Sequence, residues 1–277
     1  MFNNKQPPIQ TGAPAMMSIA ADMPNAIVSI GNGQHQGARP YQEDSFGFSD
    51  VSPATVARKG VLAVLADGMG GLKNGRAVSG TLVAKMLEVF NAPNVMCTTG
   101  QDLKTVATAI NREVCNTFCS SGRIESGSTL VSVIIKDGYL HWLCVGDSRL
   151  YIKRGERIYQ VNEDHDFLNQ MLDDVITGND SMADALSNPQ KDSLVGCIGK
   201  KDLDLFDYSK RGYKLKHGDL IVLCSDGIYN ALSYAELCAN VTYDAMGSCS
   251  NIINLVASKR IPNQDNNTIL VLSYQEK

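Results

Sequence analysis

Apolar and polar residues recur at two different periods along this chain, and the change of period marks its layers. Over Ala77–Phe90 the apolar residues Val78, Leu82, Val83, Met86, Leu87 and Phe90 return every three or four positions, which predicts a helix with one buried face. Asp102–Ser120 repeats the pattern with Leu103, Val106, Ile110, Val114 and Phe118. From Thr129 to Val161 the period shortens. Leu130–Ile135, Tyr139–Val145, Arg149–Lys153 and Arg157–Val161 read as strands. Asp137-Gly138, Gly146-Asp147 and Arg154-Gly155 separate them at hairpin spacing, which predicts an antiparallel meander. Gly60–Ala66, Asp219–Cys224 and Thr268–Ser273 are apolar enough to be buried strands. Residues 166–200 are irregular and rich in Asp, Asn and Gly, and are expected to form an ordered, partly mobile insertion around a short helical piece. Strands, a helix pair, more strands and later short helices add up to an α+β layered domain.

Composition narrows the class. Residues 1 to about 25 hold few large apolar side chains and are expected to be a flexible tail, leaving 26–277 as a single domain with no linker inside it. A 44% hydrophobic content supplies a sizeable core. The formal net charge of -4 argues against nucleic-acid binding, which needs a basic surface. No apolar stretch approaches the roughly 20 residues that span a bilayer. Ala13–Ala21 is weakly apolar behind a single basic residue, Lys5, and is not read as a signal peptide. The eight cysteines include no C-x-x-C pair, so free thiols in a reducing cytoplasm are expected.

The candidate chemistry lies at strand ends. Val61–Ala66 runs into Asp67-Gly68-Met69, His141–Val145 into Gly146-Asp147-Ser148-Arg149, and Leu220–Cys224 into Ser225-Asp226-Gly227. Asp265-Asn266-Asn267 precedes the Thr268–Ser273 strand, and Glu43-Asp44 follows Arg39 by four residues. Any one Asp-Gly pair is adequately explained as a turn. A fully apolar strand delivers its terminal carboxylate to the edge of a core, however, and several such anions brought together need cations to neutralise them. The donors are all oxygens, with no thiolate pair and no helix-spaced His pair, which suits Mg²⁺ or Mn²⁺ better than Zn²⁺. Two such ions are suited to hydrolysing a phosphate ester. Arg39 fits as the phosphate binder, since a guanidinium presents a rigid donor fork.

The segments Gly37–Ser45, Ala66–Gly71, Gly127-Ser128-Thr129, Val145–Arg149, Ser225-Asp226-Gly227 and Asp265–Thr268, in this order, resemble the metal-dependent protein phosphatases of type 2C (the PPM family), in their bacterial form. The resemblance runs from about Ile27 to Ser273. It implies a four-layer α-β-β-α sandwich with two antiparallel sheets around a dinuclear metal cleft. By resemblance, Asp67 bridges two Mn²⁺ or Mg²⁺ ions, Gly68 lends a carbonyl to one, and Asp226 and Asp265 hold the other. Glu43 and Asp44 receive metal-bound waters or ligate, Asp147 with Asp226 matches a weaker third site, and Arg39 grips the substrate phosphate. Asp67, Asp226 and Arg39 then form the catalytic set, with a metal-bridging hydroxide as nucleophile on phosphoserine or phosphothreonine. A phosphoprotein substrate, an opposing Ser/Thr kinase, and a monomeric, cytoplasmic enzyme without membrane or nucleic-acid partners complete the expectation. Asn162–His165 and the segment to Gly199 match a strand exit and a flap. Three positions depart from the pattern: Met69 where some members have His, Asn230 where some have Asp, and Leu194–Gly199 where an Arg is common.

Rival readings are fewer. Gly70 and Gly75 have P-loop spacing, but Arg76-Ala77 follows where Lys-Ser/Thr is required. Asp147-Ser148 lacks a G-x-S-x-G elbow. A pseudophosphatase that binds phosphoproteins and a hydrolase of small phosphate esters are the two alternatives kept.

Overall fold

The computed structural model describes residues 18–69, 74–119 and 126–277. In chain order the strands are β1 Ile19–Asp22, β2 Ala26–His35, β3 Ser45–Phe48, β4 Val61–Ala66, β5 Leu130–Lys136, β6 Tyr139–Val145, β7 Arg149–Arg154, β8 Arg157–Gln160, β9 Asp207–Tyr208, β10 Tyr213–Lys214, β11 Leu220–Cys224 and β12 Asn267–Glu276. The helices are α1 Pro53–Lys59, α2 Gly75–Asn91, α3 Gly100–Phe118, α4 Phe167–Thr177, α5 Met182–Ser187, α6 Asp226–Tyr229, α7 Tyr234–Asn240 and α8 Ala245–Ser258.

The strands form two antiparallel sheets, ordered β1-β2-β12-β11-β7-β8 and β10-β6-β5-β4-β3, with β9 also pairing β6. Strand periodicity builds the layers. In β4 every side chain is buried. Val61, Ala63 and Leu65 point between the sheets, and Leu62, Val64 and Ala66 point outward under α2 and α3. Likewise Ile221 and Leu223 of β11 and Leu270 and Leu272 of β12 enter the inter-sheet core. Val222, Cys224, Ile269 and Val271 face the helical layer containing Ile252 and Val256 of α8. Sheets covered on both faces are why these strands read as unbroken apolar runs. The result is the α-β-β-α sandwich that the family resemblance implied.

Three expectations are corrected. First, β6 and β7 do not continue one meander. Val145 ends a strand of the second sheet and Arg149 begins one of the first. Gly146, at φ 99°, turns the chain across the sandwich, so that Leu150 and Ile152 fill the inter-sheet core from the opposite side. That crossing carries Asp147 to the edge of the sandwich. Second, the expected tail of residues 1–25 is too long. Ile19–Asp22 pairs antiparallel with β2, Ala21 and Met23 are buried, and Lys277 grips Asp22 at 2.6 Å. Averaged composition hid an alternation in which only Ile19, Ala21 and Met23 face the core. Residues 1–17 lie outside the described residues. Third, residues 166–200 hold two helices, α4 and α5, instead of one short piece.

Candidate active site

The expected acidic residues converge because their parent strands end on the same edge of the sandwich. Asp67 leaves β4, Asp226 leaves β11 and opens α6, Asp265 enters β12, and Asp147 sits in the crossing from β6 to β7. Glu43, Asp67, Gly68, Asp147, Asp226 and Asp265 all line one cleft of about 190 Å³. Met69 and Leu194 supply its apolar wall. Asp44 is placed behind the cleft, 3% exposed. Arg39 is at the rim, with a guanidinium nitrogen 2.6 Å from Asp265 Oδ2.

Hydroxyls and amides hold this arrangement. Asp44 Oδ2 accepts from Thr268 Oγ1 at 2.6 Å and Ser225 Oγ at 2.9 Å, while its Oδ1 is buried without a partner. Ser225 Oγ in turn accepts the Thr268 N–H at 3.0 Å, which ties the ends of β11 and β12 together beneath the carboxylate. The Asp67 main chain is clamped on both sides. Its N–H donates to Thr129 Oγ1 at 3.0 Å, and its carbonyl accepts from Ser128 Oγ and the Thr129 N–H, both at 2.8 Å. Thr129 Oγ1 also meets Ser148 Oγ at 2.8 Å, linking Asp67 to the segment carrying Asp147. Asn266 accepts from the Glu43 N–H at 2.7 Å and donates to the Gln36 and Tyr41 carbonyls, fixing the loop that presents Arg39 and Glu43. A side chain at position 68 would stand 2.5 Å from the Gly75 carbonyl oxygen, so glycine is required where the backbone approaches the cleft.

The electrostatics are those of crowded anions. Asp44 and Asp226 are the anions that act most strongly on Asp67. Burial, reinforced by those two neighbours, pushes the Asp67 carboxyl well above the usual carboxylate range. Asp44, Glu43 and Asp226 are raised chiefly by burial, and Asp147 is pushed up to about 7 by burial with Asp226 and Asp164 adding repulsion. Two carboxyls in contact share a proton or a cation. Among the described residues, no three His, Cys, Asp or Glu side chains surround a single point as direct ligands. A hard divalent ion does not need three, since Mg²⁺ keeps several waters and takes one or two carboxylates. The unpartnered Asp44 Oδ1, the all-oxygen donor set and the mutual repulsion of four aspartates fit such ions.

Metal-free protein is therefore expected to lose stability as the pH rises. Its folded carboxyls hold protons that the unfolded chain, with Asp near 3.8, has already released. The stabilisation is present at low pH and lost as the pH passes through about 7, where Asp147 titrates. Mn²⁺ then supplies the missing positive charge, so its stabilising effect grows over the same range. Urea midpoints in EDTA and in Mn²⁺, at about pH 5.5 and about pH 7.5, check this; the expected gap, a few kcal/mol, is larger at the higher pH.

Some participants were not assigned roles from sequence. Ser128, Thr129, Ser148, Ser225, Asn266 and Thr268 stood inside or beside the motifs without an assigned part; their signal was a hydroxyl or amide flanking each acidic residue. Arg149 is a second case. Its Nη2 and Nε donate to Asp164 Oδ2 at 2.6 and 2.9 Å, and its guanidinium lies 3.6 Å from the Tyr229 ring centre. This joins β7, the strand exit after β8 and α6 underneath Asp147 and Asp226. Asn230 brings its amide to within 3.5 Å of Asp226 Oδ2, a neutral donor in place of a further carboxylate.

Residues 34–258 match the family model for protein phosphatase 2C. The chain belongs to the protein phosphatase 2C family. Within that family it is 28% identical over 183 residues to the serine/threonine phosphatase stp of Listeria innocua, covering 64% of this chain and 69% of the relative. It is also 28% identical over 233 residues to the protein phosphatase PhpP of Streptococcus pneumoniae, covering 78% of this chain and 87% of the relative. The S. agalactiae serine/threonine phosphatase structure superimposes with a TM-score of 0.74 at 23% identity, over 88% of this chain and 98% of that one. The catalytic domain of PstP, solved in complex with 2 manganese ions, gives a TM-score of 0.68 at 21% identity, over 90% and 99% of the two chains. These structural neighbours share the protein phosphatase 2C fold. No helix among the described residues is long and apolar enough to cross a membrane.

Proposed function

We propose that the chain hydrolyses phosphoserine and phosphothreonine in proteins, using two Mn²⁺ or Mg²⁺ ions held by the cleft carboxylates. The observation that carries this is the convergence of Glu43, Asp67, Asp147, Asp226 and Asp265 on one cleft, within a family of protein phosphatases. When bound, the two ions would supply Lewis acidity toward the phosphoryl oxygens and a water made nucleophilic near neutral pH. Asp67, the Gly68 carbonyl, Asp226 and Asp265 would hold them. Glu43 and Asp44 would accept from waters of the ion shell; Asp44 Oδ1 has no competing partner. Asp147 with Asp226 would form a third, weaker site. Arg39 would leave Asp265 to receive the phosphate, an exchange made easy by the exposure of both side chains, 43% and 35%.

Cleft size supports a protein substrate. A volume of about 190 Å³ is below the few hundred that enclose a whole small ligand, and suits one phosphorylated side chain offered from a larger surface. Retention of every expected carboxylate disfavours a pseudophosphatase. All eight cysteines are free, consistent with a cytoplasmic setting. We place the enzyme there as a monomer opposing a Ser/Thr kinase, with the residues from β1 onward forming one phosphatase domain.

Turnover of a phosphothreonine peptide, compared with a sugar phosphate and a nucleotide under Mn²⁺, tests the substrate class. Catalytic efficiency on the peptide is expected to exceed that on either small ester by about tenfold or more. Equal or reversed efficiencies would transfer the assignment to small phosphate esters.

A further inference from the structure

His165 lies outside the acidic set, yet it bonds to the neighbours of two residues that line the cleft. It is 8% exposed. The Gly146 N–H donates to its Nδ1 at 3.1 Å, and its own N–H donates to the Gly146 carbonyl at 3.0 Å. The ring is therefore neutral with its proton on Nε2. On the other side, its carbonyl accepts the Val195 N–H at 2.9 Å. The flanking residues Asp166 and Leu194 form an isolated antiparallel bridge. A side chain on Gly196 would stand 3.1 Å from His165 Cβ and 3.2 Å from Nδ1, so the returning strand of the α4–α5 insertion packs directly on the ring edge. Gly146 precedes Asp147 and Val195 follows Leu194, and both Asp147 and Leu194 line the cleft.

We propose that His165 is a positioning residue that fixes Asp147 and the Leu194 wall in one register, its Nδ1 serving as the acceptor that holds the Gly146 turn. The turn needs this acceptor because Gly146, at φ 99° between strands of different sheets, has left the ladder that paired Val145 with Leu130. Its N–H is buried, and water cannot replace the lost partner cheaply. Outer residues that orient a metal-binding carboxylate influence affinity without touching the ion.

Two variants separate the acceptor from the bulk of the ring. His165→Asn places an amide oxygen near the Nδ1 position, whereas His165→Leu fills the space without an acceptor. Hydrogen exchange of the metal-free protein, read by mass spectrometry on peptides spanning residues 144–148, is expected to quicken about tenfold for His165→Leu and to stay near wild type for His165→Asn. The Mn²⁺ concentration for half-maximal activity is expected to rise about tenfold in His165→Leu and to be recovered in His165→Asn. The kinetic readout rests on the phosphatase reading above; the exchange readout does not, so an inactive wild type would sink that reading and leave the exchange result standing. An Asn variant as impaired as the Leu variant, or a Leu variant with unchanged exchange and Mn²⁺ response, overturns the proposal. If His165→Leu does not fold, His165→Asn decides alone: wild-type exchange and Mn²⁺ response support the acceptor role, and their loss refutes it.

Discussion

Asp67→Asn is expected to lower turnover of a phosphopeptide by about three orders of magnitude or more while leaving the metal-free protein at least as stable as wild type. The two halves follow from one observation. Ionisation of Asp67 in the metal-free fold is opposed by burial and by the neighbouring Asp44 and Asp226. Asp67 therefore holds a proton in the metal-free fold, and a neutral amide of the same shape replaces a neutral carboxyl, so folding without metal is not weakened. The same replacement removes a carboxylate that, on the proposed reading, would hold the cations. The clamp of Thr129 and Ser128 on the Asp67 backbone is untouched, so the side-chain position is kept and the loss is chemical. Phosphate release together with urea denaturation in EDTA checks both halves. A large loss of stability would mean that Asp67 is a structural hydrogen-bonding group, and retained activity would remove it from the reaction.

Arg39→Ala is expected to reduce kcat/KM by roughly a hundredfold, with Arg39→Lys recovering only part of it. A guanidinium can span two phosphate oxygens with parallel donors, and an ammonium supplies a single point of charge. Stability should move little. The Arg39–Asp265 pair is substantially exposed, and pairs of that kind contribute at most about 1 kcal/mol. Kinetics on a phosphothreonine peptide with parallel urea melts measure this. An unchanged kcat/KM would restrict Arg39 to its ion pair with Asp265.

The buried strands β4, β6, β11 and β12 and the helices α2 and α3 were legible because each packs an unbroken apolar run or face, and the acidic residues were legible because they terminate those strands. What was hidden has a physical reason in each case. The β2 strand carries Gly31 and Gly33 beside Asn32 and Gln34, and the pattern assigns it no element. Those glycines are there because α8 packs directly on the strand: a Cβ at Gly31 would stand 2.5 Å from the Ala245 backbone, and one at Gly33 2.8 Å from Ile253. The passage from β6 to β7 looked like a hairpin because local spacing does not say which sheet the next strand joins. Only the distant partners Leu130 and Cys224, paired with Val145 and Arg149, decide that. The support of Asp44 by Ser225 and Thr268 joins residues 181 and 224 positions away, beyond any sequence window.

Phosphate release from a phosphothreonine peptide by protein first stripped of metal, then given Mn²⁺, Mg²⁺ or EDTA, with Asp226→Ala alongside, tests the central claim most directly. Asp226 opens α6 from the end of β11, lines the cleft and is held near Asp67, so its loss should remove one cation's carboxylate and leave the strand in place. The predicted result is activity that appears with Mn²⁺ or Mg²⁺, vanishes in EDTA and collapses in Asp226→Ala. Turnover that persists in EDTA, or that survives undiminished in a folded Asp226→Ala protein, would contradict it.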